Sequence, residues 1–230
     1  MREAELERIS VVVHIADLAA KKLIEPDIDQ SLSLKQQEMK QRERLVLKTA
    51  NELLSTKGYE AMTVDEVAEL VGIAKPSLYR HFNGKESLGV AVLTDALKQA
   101  SLFLQSLALQ PVSDYERVQA AAYWCLTKKA ADQMPTLPSQ NSSLRDLLKS
   151  NQDYLDLLIE VSDQIGAWIV SAQEQGSISK RFPAMLVLYS VYARACDPVL
   201  DFLIQGGTPV DEAINQVMMS CFSGLKSREY

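Results

Sequence analysis

Residues 63–82 read Thr-Val-Asp-Glu-Val-Ala-Glu-Leu-Val-Gly-Ile-Ala-Lys-Pro-Ser-Leu-Tyr-Arg-His-Phe, and this stretch decides the fold. Thr63 stands before a run in which Val64, Val67, Ala68 and Val71 share one helical face. Its hydroxyl is placed to accept from the first-turn amides, and Glu66 completes a Thr-x-x-Glu capping box. Asp65 and Glu66 suit the positive end of the helix dipole. Gly72 sits where a left-handed residue stops the helix. Only Ile73 and Ala74 then precede a second short helix, expected over Lys75–Phe82 and ended by Asn83-Gly84. Two short helices joined by about four residues that include a glycine form a helix-turn-helix.

Outward from this unit the apolar spacing stays helical, and no segment alternates in period two between hairpin signals. The chain therefore reads as all-α. Upstream, Ser33 and Gln36 open a helix with a capping-box pattern that runs to Lys57, with Gly58 at its C-terminal stop and Leu45, Ala50, Leu53 and Leu54 facing inward. Residues 1–24 form an additional amphipathic helix with Leu6, Ile9, Val13, Ala16 and Leu23 on its stripe, broken by Pro26 and by Glu25, Asp27 and Asp29. Downstream, Lys85 opens a long helix to about Leu109. Further helices are expected over Ser113–Ala131, Leu144–Lys149, Asn151–Gln175, Phe182–Gln205 and Val210–Leu225. Pro135, Pro138, Gly176, Gly206-Gly207 and Pro209 punctuate them. The expected division is a helical extension over 1–33, a three-helix helix-turn-helix domain over 34–88, and a larger helical domain over 89–230.

Composition narrows the function. With 230 residues, 47% hydrophobic, and only 9 glycines and 8 prolines, the chain buries a real core and is neither disordered nor turn-rich. Cys125, Cys196 and Cys221 form no CxxC pair, so neither a zinc site nor a redox motif is expected. His14 and His81 are the two histidines, and neither sits in a triad-like context. There is no P-loop, dinucleotide fingerprint or metal-ligand spacing, so the chain reads as a non-enzyme without a cofactor or metal. No uninterrupted apolar run reaches the ~18 residues of a bilayer span. The acidic start (Glu3, Glu5, Glu7) is unlike a secretory signal. A cytoplasmic protein with no membrane partner is the expectation. The net charge of −6 at first argues against nucleic acid. Its distribution removes the objection: residues 1–33 carry −3, residues 34–90 carry +1 and residues 91–230 carry −4. A near-neutral reading unit must bind DNA through a few placed contacts, not by bulk attraction.

Residues 42–88 resemble the tetracycline-repressor (TetR) family of transcriptional regulators. The resemblance lies in the helix before Gly58-Tyr59, the Thr63-Val64-Asp65-Glu66-Val67-Ala68 start, the Val71-Gly72-Ile73 turn, Leu78-Tyr79-Arg80-His81-Phe82, and Lys85-Glu86-Ser87-Leu88. It implies a second helix lying in the major groove of double-stranded DNA. Lys75, Pro76 and Ser77 at its N-terminus would then read base edges. Tyr79 and His81 would face the phosphate backbone, and Thr63 and Lys85 would meet phosphates at helix N-termini. Arg42, Arg44 and Lys48 are candidates for further phosphate contacts. Leu78 and Phe82, four apart, read as core. Ala74 departs from the Ser or Thr frequent at this cap.

The resemblance further implies a homodimer on a pseudo-palindromic operator and a helical body that binds an unidentified small-molecule effector. Phe103, Tyr123, Trp124, Met134, Tyr154 and Trp168 are the effector-pocket candidates. Leu186, Tyr189, Ala193, Leu200 and Phe202, with Ile214, Val217, Met218, Cys221 and Leu225, are the dimer-interface candidates. Repression relieved by the effector is the expected function; a transcriptional activator, or a protein–protein interaction module that keeps a helix-turn-helix, are the alternatives. The N-terminal 33 residues depart from the family pattern, and their apolar stripe is expected to dock on the body or on a partner subunit.

Overall fold

A computed structural model describes residues 2–24, 33–136 and 142–223. The chain is all-α, with eleven α-helices among the described residues: α1 (Arg2–Ile24), α2 (Leu34–Ala61), α3 (Val64–Val71), α4 (Lys75–Tyr79), α5 (Lys85–Ala108), α6 (Asp114–Ala130), α7 (Ser143–Ser150), α8 (Gln152–Glu174), α9 (Ala184–Tyr192), α10 (Pro198–Gln205) and α11 (Val210–Ser223). They divide into two compact units, one over residues 25–99 and 132–158, the other over 1–24, 100–131 and 159–230.

The first unit is built around the helix-turn-helix. Ser33 caps α2, its hydroxyl accepting from the Gln36 amide at 3.4 Å while the Gln36 side chain accepts from the Ser33 amide at 3.0 Å. The expected capping box is therefore formed. Gly58 adopts φ 78°, which ends the regular helix and turns the chain toward Tyr59. Val46, Ala50, Leu53 and Leu54 of α2, Val64, Val67 and Ala68 of α3, and Leu78 and Phe82 around α4 form one core with Leu88, Val92 and Leu93 of α5. Leu45, expected in this face, is half exposed. Two further core residues come from far along the chain: Leu144 and Leu148 of α7. Gly89 leaves the space in which Leu144 sits, since a Cβ there would lie 3.0 Å from both Leu144 Cδ2 and Tyr59 Cε2. Ser143 donates to Glu86 at 2.9 Å, and Thr136 donates to the Leu54 carbonyl at 2.7 Å.

The second unit is arranged around α6, which packs against α1, α9, α10 and α11. Ser113 and Glu116 form a full capping box at its start. Ala120, Ala121 and Ala122 are all buried and let neighbouring helices approach closely. α1 contributes Val12, Ile15, Ala16 and Ala19 to the core. Val13 is half-buried, so the buried face is rotated from the expected stripe. The side chains of Leu6, Ile9 and Leu23 lie outside the described residues, as do Pro26 and Pro138.

The stretch Phe182–Gln205 is not the single helix expected. α9 ends at Tyr192, a 3-10 turn follows over Ala193–Cys196, and α10 starts at Pro198. Pro198 has no amide proton and disfavours helical geometry at the residue before it. Asp197 is accordingly extended (ψ 110°), and its carboxylate caps α10 by accepting from the Val199 amide at 2.9 Å. Asp197 is only 2% exposed, and its other oxygen meets Arg194 at 2.5 Å. α5 has the length and composition to cross a membrane, although its apolar residues are interrupted by polar ones. In this fold its Leu88, Val92, Phe103, Leu104 and Leu107 are buried in protein instead.

Candidate nucleic-acid interface

The helix-turn-helix is set by local chemistry. Thr63 Oγ1 accepts from the Glu66 amide at 3.1 Å, so the expected cap on α3 forms. The reciprocal half of the box does not, because the Glu66 carboxylate pairs instead with the Lys57 ammonium. A full positive charge is the stronger partner for a carboxylate than a neutral amide. Gly72 takes the left-handed conformation (φ 73°), and the Ile73 amide donates to the Ala68 carbonyl at 3.0 Å. Ala74 caps α4 without a side-chain bond, and Pro76 occupies the first turn. The regular part of α4 stops at Tyr79, three residues short of the sequence expectation. The His81 and Phe82 amides both donate to the Leu78 carbonyl at 3.0 Å, which tightens the end into a turn.

This geometry gives α4 two faces. Leu78 is fully buried and Phe82 nearly so. Lys75, Pro76, Tyr79, Arg80 and His81 are exposed, with Tyr79 at 48%, so the tyrosine is not core. Ser77 is half-buried, and its Oγ accepts from Arg80 Nη2 at 2.7 Å, leaving the hydroxyl proton to donate. Arg80 is absent from the sequence candidates; its spacing of three from Ser77 on a helix was the available signal. Lys75 Nζ lies 2.6 Å from Asp65, which ties the start of α4 to the start of α3 and raises the lysine pKa through that hydrogen bond. Thr63 is exposed at the same helix start.

Lys85 has structural duties. Its ammonium donates to the Glu60 carbonyl at 2.8 Å and lies 4.6 Å from the centroid of the Tyr59 ring. Burial, then the Glu86 charge, raise the Tyr59 pKa. Arg42, Arg44 and Lys48 are exposed along α2, and Lys48 makes a 3.9 Å pair with Glu52.

The effector candidates fall in both units. Phe103 and Trp124 stack with centroids 5.0 Å apart, Lys128 lies over Trp124 and Arg117 over Trp168, all in the second unit with Tyr123. Met134 and Tyr154 belong to the first unit, where Ser55 donates to the Met134 carbonyl at 2.8 Å and Tyr154 packs on the helix-turn-helix core. The dimer candidates also divide. Leu200, Ile214, Val217 and Met218 are at most 2% exposed and serve the chain's own core. Leu186, Tyr189, Ala193 and Phe202 are exposed, and Cys221 is half-buried. Leu225 lies outside the described residues. Met185 and Val199 join the exposed apolar set, a membership the sequence pattern does not distinguish. Among the described residues no group of three His, Cys, Asp or Glu side chains is placed to hold a metal ion.

A capped, glycine-stopped helix followed by a short helix with one buried and one polar face is a helix-turn-helix reading domain, here carried on an all-helical body. Residues 46–92 match the family described as bacterial regulatory proteins, tetR family. Residues 46–92 thus carry a DNA-binding domain of the type this family of bacterial regulators shares. It is 36% identical over 70 residues to the HTH-type transcriptional regulator EthR of Mycobacterium tuberculosis, covering 30% of this chain and 32% of that one. It is 38% identical over 69 residues to the class C tetracycline repressor protein of Escherichia coli, covering 30% and 29%. The chain thus matches about a third of the length of these curated relatives. In fold it is similar to the transcriptional regulator FadR of Bacillus subtilis in complex with stearoyl-CoA, at 15% identity and a TM-score of 0.59 over 80% of this chain and 99% of that one.

Proposed function

We propose that the chain is a cytoplasmic homodimeric regulator that binds a pseudo-palindromic operator and represses transcription until a small molecule releases it. The observation that carries this reading is the two-faced α4, with Leu78 and Phe82 held in the core and Lys75, Pro76, Tyr79 and His81 turned to solvent. A helix so mounted presents its N-terminal residues to base edges and its flanks to phosphates. Two copies would set their reading heads about 34–36 Å apart, one helical turn of DNA. The exposed Leu186, Tyr189 and Phe202, with Met185 and Val199, supply apolar surface for a partner.

An effector need only favour a dimer whose heads are wrongly spaced. A ~10³-fold loss of affinity requires about 4 kcal/mol of differential binding. Because FadR of Bacillus subtilis is described in complex with stearoyl-CoA, acyl-CoA thioesters are the first class to screen. The test is selection of duplexes from a randomised pool, followed by titration of the selected sequence. Enrichment of a palindrome bound by two chains supports the reading. No enrichment over the starting pool overturns it.

A further inference from the structure

Cys125, Cys196 and Cys221 form no sequence motif, yet they stand on elements that pack together within one unit. Cys125 is on α6, Cys196 closes the 3-10 turn over Ala193–Cys196, and Cys221 is on α11; α6 packs against both the turn and α11. Cys196 is exposed, whereas Cys125 and Cys221 are half-buried. The same turn carries Arg194, whose guanidinium is held by the buried Asp197 at 2.5 Å and by the Ser190 carbonyl at 3.2 Å. Burial raises the pKa of the Cys125 thiol, the Cys196 charge adds to the rise, and the Arg194 charge opposes it. Burial raises the pKa of Cys221 too, but the charges that act there are those of Arg194 and Asp197. Cys125 is thus the inner thiol within electrostatic reach of Cys196.

An exposed thiol, a protected thiol and a fixed cation together suit a two-step oxidation. The thiolate is the reactive form, and a neighbouring guanidinium favours it. The exposed sulfur meets a dissolved oxidant first, and the protected one then meets the oxidised sulfur.

We propose that Cys196 is a modification site for hydroperoxides and that Cys125 is its resolving partner, the two closing an intrachain disulfide that pins the 3-10 turn to α6. In the first step the Cys196 thiolate attacks a peroxide oxygen. The O–O bond breaks, an S–O bond forms, and the departing hydroxide takes up the proton that the thiol gave to solvent, leaving a sulfenic acid and water. In the second step the Cys125 sulfur attacks the Cys196 sulfur. The S–S bond forms, the S–O bond breaks, and the departing hydroxide leaves as water with the Cys125 proton. The two thiols lose two electrons, and the peroxide gains them.

A disulfide needs its Cα atoms about 4.4–6.8 Å apart. Closing it turns the Cys196 side chain from solvent toward α6 and draws the turn with it. Exposed Tyr189 and Ala193 precede this turn, and exposed Val199 and Phe202 follow it. The bond therefore disturbs the surface proposed above for a second copy. That consequence rests on the proposed dimer, whereas the bond itself does not.

The full-length chain is reduced, freed of reductant and treated with hydrogen peroxide. Digestion with trypsin and a glutamate-specific protease, which separates Cys196 from Cys221 at Glu212, gives peptides for mass spectrometry. The expected product has one cross-link, Cys125 to Cys196, retains one of its three titratable thiols and is restored by dithiothreitol. Cys196→Ser should abolish the link and Cys221→Ser should keep it, with circular dichroism checking that each variant is folded. A Cys196–Cys221 link, a chain-to-chain Cys196 link, oxidation confined to Cys196, or three unchanged thiols overturns the pair. Sedimentation of the same samples reads the surface. Oxidation should move a dimeric chain toward monomer, and a dimer unaltered by the mapped bond overturns that effect. A reduced chain that is already monomeric overturns the proposed dimer and leaves the bond standing.

Discussion

Replacing Gly89 with alanine tests how α7 is seated on the reading domain. Gly89 lies inside α5, where alanine is favoured over glycine by about 1 kcal/mol on helix propensity. Propensity alone therefore predicts stabilisation. Packing predicts the reverse. The new Cβ would lie 3.0 Å from Leu144 Cδ2 and from Tyr59 Cε2, and 3.2 Å from Leu144 Cδ1. Leu144 is fully buried, so its methyls have no open direction in which to move. Overpacking of this kind costs about 1–3 kcal/mol, which outweighs the propensity gain and leaves a net loss of roughly 1 kcal/mol. Leu144→Ala alone opens a cavity at a cost of about 2–5 kcal/mol. In the double variant the Gly89→Ala methyl has room, so the losses should fall short of their sum by about 1 kcal/mol. Urea denaturation followed by circular dichroism measures all three variants. If Gly89→Ala is stabilising and the two changes add to within about 0.5 kcal/mol, Leu144 does not occupy the space at Gly89 and the docking of α7 is wrong.

Four further outcomes follow from particular contacts. Ile15 is 5% exposed in α1, so Ile15→Ala should destabilise the chain by about 2–5 kcal/mol; an unchanged denaturation midpoint would show that α1 does not pack on α6. Burial pushes the Cys125 thiol up to about 12, so at pH 8 it remains protonated and resists iodoacetamide, while exposed Cys196 is alkylated first; peptide masses give the order. Lys85→Met removes a hydrogen bond and a cation–π contact, the latter worth about 0.5–1 kcal/mol, and should lower the melting temperature even without DNA. Phe202 is 76% exposed, so Phe202→Asp should leave stability unchanged while shifting sedimentation toward monomer; an unaltered profile would remove α10 from the proposed interface.

The parts of this fold that were legible in sequence are those whose cause is local. Ser33, Thr63, Gly58 and Gly72 each act on atoms within a few residues, and each does in the structure what its chemistry requires. Where a long-range partner competed, reading failed: Lys57 takes the Glu66 carboxylate that the local pattern assigned to the Thr63 amide. The break at Asp197-Pro198 was readable from the proline, but the strong apolar pattern on both sides masked it. Leu144 and Leu148 give no sign that they complete a core more than fifty residues upstream, because helical periodicity shows that a face is buried and not what it is buried against. The same limit governs the last helices. Leu200 and Phe202 are both apolar, yet one is fully buried and the other is mostly exposed. Only the packing separates core from surface left for a partner.

The central claim is that the exposed face of α4 reads DNA, and fluorescence anisotropy of four single variants on the selected duplex tests it most directly. Ser77→Ala and Lys75→Ala should relax base preference, each good base contact being worth about 1–3 kcal/mol of discrimination. Tyr79→Ala and His81→Ala should instead weaken binding to matched and scrambled duplexes alike. Wild-type affinity and unchanged base preference in all four variants would contradict the account.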